Sequence, residues 1–309
     1  MTETYIPING ISQYFLHLPG ANGSNDVLLM LHGGPGLANA YIAYYVQPHC
    51  GFCNVVFYDQ RGAGKTQLKN QSAASDLSMD VLIEDLRQTV AYVKQHYGTD
   101  RIFLAGHSWG SMLGTAYILR YPETVAGYIG YGQAVDSAKQ DRSWYQFLQA
   151  AVQKAGIQDD IAAFNSVNPH FPNVPREQYF TEYGKLFELS FTYDYMVQDI
   201  FAIYSQSPTW TEADAAQSAT IEALNQGLYA DALFGYDLHP ITAYDVPVYY
   251  VLGRHDEMTS GTLAAAYFDT FTAPQKGLYW VEDAGHLVET DNPVAFFAAV
   301  QKILSMVGV

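Results

Sequence analysis

Uninterrupted apolar stretches alternate along the chain with segments of helical period. VLLML (27–31), NVVFY (54–58), IFLA (102–105), VAGYIG (125–130), PVYYVLG (247–253) and GLYWVE (277–282) show almost no polar alternation, the pattern of strands covered on both faces by helices. Ahead of them, residues 5–18 alternate (Ile6, Ile8, Ile11, Tyr14, Leu16, Leu18) about Asn9-Gly10, a tight-hairpin signal that predicts two antiparallel edge strands. Residues 79–96 set Leu82, Ile83, Leu86, Val90 and Val93 on one helical face, with Asp80, Glu84 and Asp85 toward the positive end of the helix dipole. Helices are also predicted after residue 108, over 262–271 and over 293–306. Strands alternating with helices build an α/β fold around a mostly parallel central sheet.

From about 136 to 239 the strand signal vanishes. Helical periodicity takes over, broken at Asn168-Pro169, Phe171-Pro172 and Val174-Pro175, and aromatic residues crowd the segment. The expectation is a helical cap inserted at 136–239 between core segments 1–135 and 240–309. Most of its rings must be packing, with a few left to line a pocket.

Composition narrows the partners. The 309 residues are 49% hydrophobic and 15% charged, and Lys+Arg 15 against Asp+Glu 31 gives a formal net charge of −16. Such a chain repels nucleic acid and draws amine-bearing ligands, although the same acidity also keeps an aromatic-rich surface soluble. No apolar run reaches the length of a membrane span, and 1–20 lacks the basic start and apolar block of a signal peptide, so a cytoplasmic protein is expected. Cys50 and Cys53 form CGFC, but a strand rather than a helix follows. That makes an incidental pair the better reading than a redox couple.

The chemistry gathers at strand ends. IFLA runs into Gly106-His107-Ser108-Trp109-Gly110 and then into helical spacing, a strand, sharp turn and helix that would expose the serine at a strained tip. The Trp109 amide, at the start of that helix, would point at an oxyanion beside Ser108. VLLML ends in His32-Gly33-Gly34-Pro35-Gly36, either a plain glycine loop or the source of a second oxyanion donor at Gly34. NVVFY ends in Asp59-Gln60-Arg61-Gly62-Ala63-Gly64, which lacks the Walker spacing and reads as a structural turn held by Asp59 and Arg61. Two later strand ends carry Asp256 and His286, which completes the chain order nucleophile, acid, histidine. His286 would take the serine proton and Asp256 would fix the imidazole tautomer. Glu257, Glu282, Asp283 and Asp237 compete for the acid, and His255, His107, His32 and His239 for the base. Asp256 is favoured because it lies just past a strand, and His286 because Ala284-Gly285 leaves room around it.

HGGPG, DQRGAGKT, GHSWGS, GRHDE and DAGH, in this order and spacing, resemble the prolyl aminopeptidase (proline iminopeptidase) family of α/β-hydrolase serine peptidases. The resemblance implies an α/β-hydrolase fold and release of an N-terminal residue, often proline, from short peptides. It also implies that the Gly34 and Trp109 amides hold the oxyanion. A free α-amine must be gripped by carboxylates; by resemblance Glu257, directly after the triad aspartate, would serve. Where a second glutamate is usual, this chain has Asn225 and Gln226, with Glu222 one turn earlier. No metal or cofactor is implied, and the histidines do not fall at zinc spacings. The same triad would also serve a carboxylesterase or lactonase on a neutral acyl substrate, for which a free amine gives no gain in kcat/KM. A third class, a binding module with an inert site, would not label at Ser108 with a fluorophosphonate.

Overall fold

Asn9 and Gly10 both take positive φ (43° and 80°), the turn that joins β1 (Thr2–Ile8) to β2 (Ile11–Leu18) in an antiparallel hairpin. The computed structural model describes residues 1–21, 23–71 and 77–308. In it the hairpin is extended by β3 (Val27–Leu31), β4 (Asn54–Tyr58), β5 (Ile102–His107), β6 (Val125–Tyr131), β7 (Val248–Gly253) and β8 (Lys276–Val281). These form one eight-stranded sheet in the order β1-β2-β4-β3-β5-β6-β7-β8. Only the β1/β2 and β2/β4 pairings are antiparallel; the rest are parallel.

Helices cover both faces. The first part of the chain supplies α1 (Ala43–Val46), α2 (Gly64–Asn70), α3 (Met79–Tyr97) and α4 (Trp109–Arg120). Then come α5 (Ser137–Ala155), α6 (Gln158–Asn165), α7 (Arg176–Tyr193), α8 (Ile200–Ser205), α9 (Glu212–Ala216) and α10 (Ser218–Leu233), all between β6 and β7. After β7 come α11 (Gly261–Phe268), α12 (Val288–Asp291) and α13 (Pro293–Val307). Strand alternation divides the core: Leu29, Leu31 and Leu104 pack with α3, α4 and α11, and Leu28, Met30 and Phe103 with α1 and α13. From β3 to β7 every strand residue is buried, which is why those strands read as unbroken apolar runs; β8, at the edge, is only partly covered. Helix ends follow local chemistry: at α3, the Ser78 side chain accepts from Val81 N and Gly98 closes the C-terminus at φ 67°.

Two expectations need correction. The helix expected over 262–271 stops at Phe268, and Lys276 Nζ donates to the carbonyls of Phe268 and Phe271 beyond it. The turn read after NVVFY runs straight into α2. A Cβ on Gly64 would stand 2.4 Å from Asp59 Oδ2, and that carboxylate accepts from Lys65 N at 2.7 Å, so the turn opens a helix. Arg61 makes a buried bidentate pair with Asp85 of α3 (2.8 and 3.0 Å) and also donates to Asn9 O.

The helical segment leaves and rejoins the sheet at one neck, where Asp136 bridges Asp237 and Leu238 N donates to Val135 O at 2.8 Å. It has its own core, with Trp144, Leu148, Phe164, Phe171, Tyr179 and Leu186 buried together.

Candidate active site

Ser108 sits at φ 51°, ψ −118°, a conformation costly for any residue with a Cβ. It is held there because its N–H is shared by the carbonyls of Tyr131 (3.2 Å) and Gly132 (3.1 Å). The Ser111 hydroxyl and N–H also donate to Ser108 O at 2.6 and 2.8 Å. The flanking glycines are steric necessities: a Cβ on Gly106 would lie 2.5 Å from Gly110 O, and one on Gly110 2.3 Å from Leu31 O. Trp109 is the first residue of α4, where an amide has no intrahelical acceptor.

The glycine loop after β3 passes directly over the serine, since a Cβ on Gly33 would come within 3.3 Å of Ser108 Cβ. Gln60 fastens this loop to the elbow. Its Oε1 accepts from the Trp109 indole (2.9 Å) and its Nε2 donates to His32 O (3.0 Å). Its N–H donates to His32 Nε2 at 3.0 Å, so His32 carries its proton on Nδ1 and donates it to Gly33 O at 2.8 Å. Burial pushes the His32 imidazole down to about 4, which keeps it neutral. The sequence reading assigned that turn to Asp59 and Arg61 and missed Gln60, whose partners lie on two other strands' loops.

His286 follows β8 and Asp256 follows β7. Nδ1 of His286 lies 3.1 and 3.2 Å from the two Asp256 oxygens. Thr259 joins them: its hydroxyl donates to Asp256 Oδ2 (2.7 Å) and lies 3.1 Å from His286 Nδ1, and its N–H donates to Asp256 Oδ1 (2.9 Å). Burial pushes the Asp256 carboxyl up, but His286 and the Thr259 hydrogen bonds outweigh it and leave it below its ordinary value. Burial likewise pulls His286 down, and the Asp256 charge with the Asp194 and Glu289 charges brings it above its ordinary value. His107 Nε2 donates to His286 O at 2.9 Å, and burial drives its imidazole down to about 3. It braces the histidine loop as a neutral donor. Asp291 braces the same loop from below, one oxygen accepting from Gly285 N and the other from Val197 N of the helical segment, both at 2.8 Å.

Ser108, His286 and Gly34 line one cavity of about 140 Å³, roofed by Phe187, Phe191, Phe201 and Tyr204. A second cavity, of about 390 Å³, adjoins it and shares Leu37, Phe187, Phe191, Phe201, Tyr204 and Tyr229. The two carboxylates named for amine binding fall elsewhere. Glu257 is half-buried, hydrogen-bonds to no described residue and is not part of the Ser108 cavity wall; burial raises its carboxyl. Glu222 is exposed on α10 and faces the second cavity. Asn225 Nδ2 is spent on the carbonyls of Gly62 and Ile221 at 2.9 Å. The acids that do line the Ser108 cavity are Asp194, after α7, and Glu289, on α12. Each has a modest sequence signal, an acid amid aromatic residues and an acid three places after the histidine.

The rival residues have other partners. His255 stacks on Tyr195, and Glu282 pairs with Arg254 at 2.7 Å. Asp136, Asp237 and His239, at the neck, are the one set among the described residues with donors close enough for a metal ion, but Lys139 pairs with Asp136 at 2.8 Å and none of the three lines the cavity. Cys50 and Cys53 are buried free thiols, both pushed up by burial, Cys50 to about 11. Among the described residues no helix is long and apolar enough to cross a membrane.

Residues 26–293 match the alpha/beta hydrolase fold family. The probable aminopeptidase YbaC of Bacillus subtilis is 25% identical over 297 residues, 93% of this chain and 91% of its own. The proline iminopeptidase of Saccharolobus solfataricus is 38% identical over 127 residues, 41% of this chain and 39% of its own. Among solved structures, the Mycobacterium smegmatis proline iminopeptidase superposes with TM-score 0.64 at 19% identity, covering 99% of this chain and 98% of that one. An Exiguobacterium antarcticum esterase gives 0.61 at 16%, covering 98% and 100%. With its eight-stranded sheet and helical layers, the chain belongs to the α/β-hydrolase family and is a serine hydrolase with proline iminopeptidases among its homologues.

Proposed function

We propose that the protein is a serine aminopeptidase that releases an N-terminal residue, proline or another apolar one, from short peptides in the cytoplasm. In this reading Ser108 attacks the first peptide carbonyl while His286 takes its proton. Asp256 holds the imidazole tautomer and stabilises the imidazolium. The amides of Gly34 and Trp109 take up the oxyanion charge, His286 returns the proton to the leaving amine, and water clears the acyl-enzyme. Residues 136–239 serve as the cap that closes the site. No step requires a metal or cofactor.

The observation that carries this reading is the partly open, largely apolar cavity that Ser108 and His286 share with Asp194 and Glu289. It suits a small apolar residue bearing a positive charge. A carboxylesterase or lactonase is the second reading, favoured by the apolar walls and by Glu257 standing off them. Comparison of aminoacyl β-naphthylamides with short p-nitrophenyl esters decides between the two. An aminopeptidase gains at least about tenfold in kcat/KM from the free amine, and equal values with and without it would reject the reading. Failure of a fluorophosphonate to label Ser108 would reject both.

A further inference from the structure

The Glu289 carboxyl bonds its own backbone N–H and leaves one oxygen unpartnered among the described residues. The residue is 3% exposed, and that oxygen, Oε2, is buried. Its neighbour Asp291, two positions on, is fully explained by the N–H groups of Gly285 and Val197. Apart from its own backbone N–H no donor among the described residues reaches the Glu289 carboxyl, and a carboxylate taken out of water so thinly bonded is expensive to keep, so its bare oxygen asks for a partner that the described residues do not supply. No lysine or arginine lines the cavity. The charged or titratable groups that act on Glu289 are His286 and Asp291 on its own stretch of chain, with Tyr131 from β6 and Tyr204 from α8. Only His286 among them can be a cation, and its Nδ1 already faces Asp256.

We propose that Glu289 is the anchor for the substrate's α-ammonium group, an ammonium-binding carboxylate contributed by the sheet side of the cavity, with Asp194 facing the same space from the cap. This rests on the aminopeptidase reading and names the residue that gives it selectivity. The α-amine lies two bonds from the carbonyl carbon that Ser108 attacks, so its partner must share a wall with the nucleophile and the base. Glu289, three residues after His286 and lining the same cavity, meets that demand, whereas Glu257 and Glu222 do not. Burial holds the Glu289 carboxyl up at about 7, and Asp194 likewise at about 7. An arriving ammonium favours the ionised form of both carboxyls, the form their burial disfavours, and a neutral ligand offers no such compensation.

The test uses pyrrolidine, cationic at neutral pH, and cyclopentanol, its neutral counterpart in shape, as competitive inhibitors of p-nitrophenyl acetate hydrolysis at pH 7.5. The wild-type protein is expected to bind pyrrolidine at least about tenfold more tightly than cyclopentanol, the scale of a charge-assisted hydrogen bond. Glu289→Gln is expected to abolish that preference. It should also lower the ratio of kcat/KM on proline β-naphthylamide to that on the ester by at least about tenfold. Should Glu289→Gln fail to fold, Glu289→Asp keeps the charge but withdraws it by a methylene, and a weakened preference supports the anchor. No preference in the wild type, or an undiminished one in the folded variants, overturns it. A wild-type protein that cleaves the ester but not the naphthylamide refutes the aminopeptidase reading alone, because the pyrrolidine comparison still judges Glu289.

Discussion

Ser108 is an ordinary hydroxyl until its neighbours act on it, and the neighbour with the least obvious part is Thr259. Its hydroxyl touches both Asp256 and His286, so it fixes the carboxylate that fixes the ring. Thr259→Val is expected to lower kcat about tenfold and to change KM little, since one hydrogen bond to a charged group is lost away from the substrate; a KM effect of equal size would contradict that placement. Asp256→Asn is expected to cost kcat about 10⁴ by imposing the wrong tautomer. In the proposed mechanism His286 must be neutral to accept the serine proton, and its environment holds it above the ordinary 6.5. The acid limb of kcat/KM on a neutral ester should therefore have its midpoint above 6.5, and a midpoint below it would show that the Asp256, Asp194 and Glu289 charges do not reach the ring. That Ser108, Asp256 and His286 stand just past strand ends was legible in sequence because each follows an apolar run. Glu289 and Thr259 were not singled out, because an acid near a histidine or a threonine after an aspartate is too weak a signal until a cavity defines what they face.

At the scale of elements, β3 to β7 could be read from composition because both faces of the sheet are covered there. The start of α2 could not, since the glycine that opens it looks like any other turn glycine and only contact with Asp59 shows why it is there. Gln60 is the clearest case of information held between elements: it ties β4's end to the elbow of β5 and to the loop of β3. Gln60→Leu would strand the Trp109 indole N–H and the His32 carbonyl in a dry setting. A loss of about 1–3 kcal/mol for each group is expected from urea unfolding, along with reduced kcat as the Gly34 loop shifts. Unchanged stability would mean that the bridge is idle. Asp85→Asn, which leaves Arg61 buried without its partner, is expected to cost about 3–5 kcal/mol.

For the whole molecule, the acidity visible in the sequence takes on a pH signature. Burial holds Asp59, Asp141, Asp194 and Glu289 at about 7, against 3.8 or 4.5 for the same groups in ordinary surroundings. Between those limits the folded chain binds more protons than the unfolded one, so these groups make stability fall as pH rises through that range and level off above about 7. His286, also raised, adds stability at low pH that is lost as pH climbs through its folded value. Asp256 and Asp214 are lowered and act in the opposite sense, losing their contribution only as pH drops below the ordinary carboxylate range. The unfolding free energy is therefore expected to be larger at pH 5.5 than at pH 8, a difference that denaturant titrations at the two pH values would measure. Greater stability at pH 8 would show that the buried acids are ionised in the fold. The run of helices between β6 and β7 was legible from the loss of strand pattern after residue 136. Which aromatic rings would be roof and which interior was not, because both kinds share one periodicity.

The two oxygens of Asp291 divide their attention between the histidine loop and the helical segment, and a Cβ on Gly285 would collide with Tyr195 O at 2.1 Å. Roof and base thus hang from a single peg. Any movement of the helical segment away from the sheet would part Val197 N from the same carboxylate that steadies Gly285 N, so position of the roof and position of the histidine loop are read by one side chain.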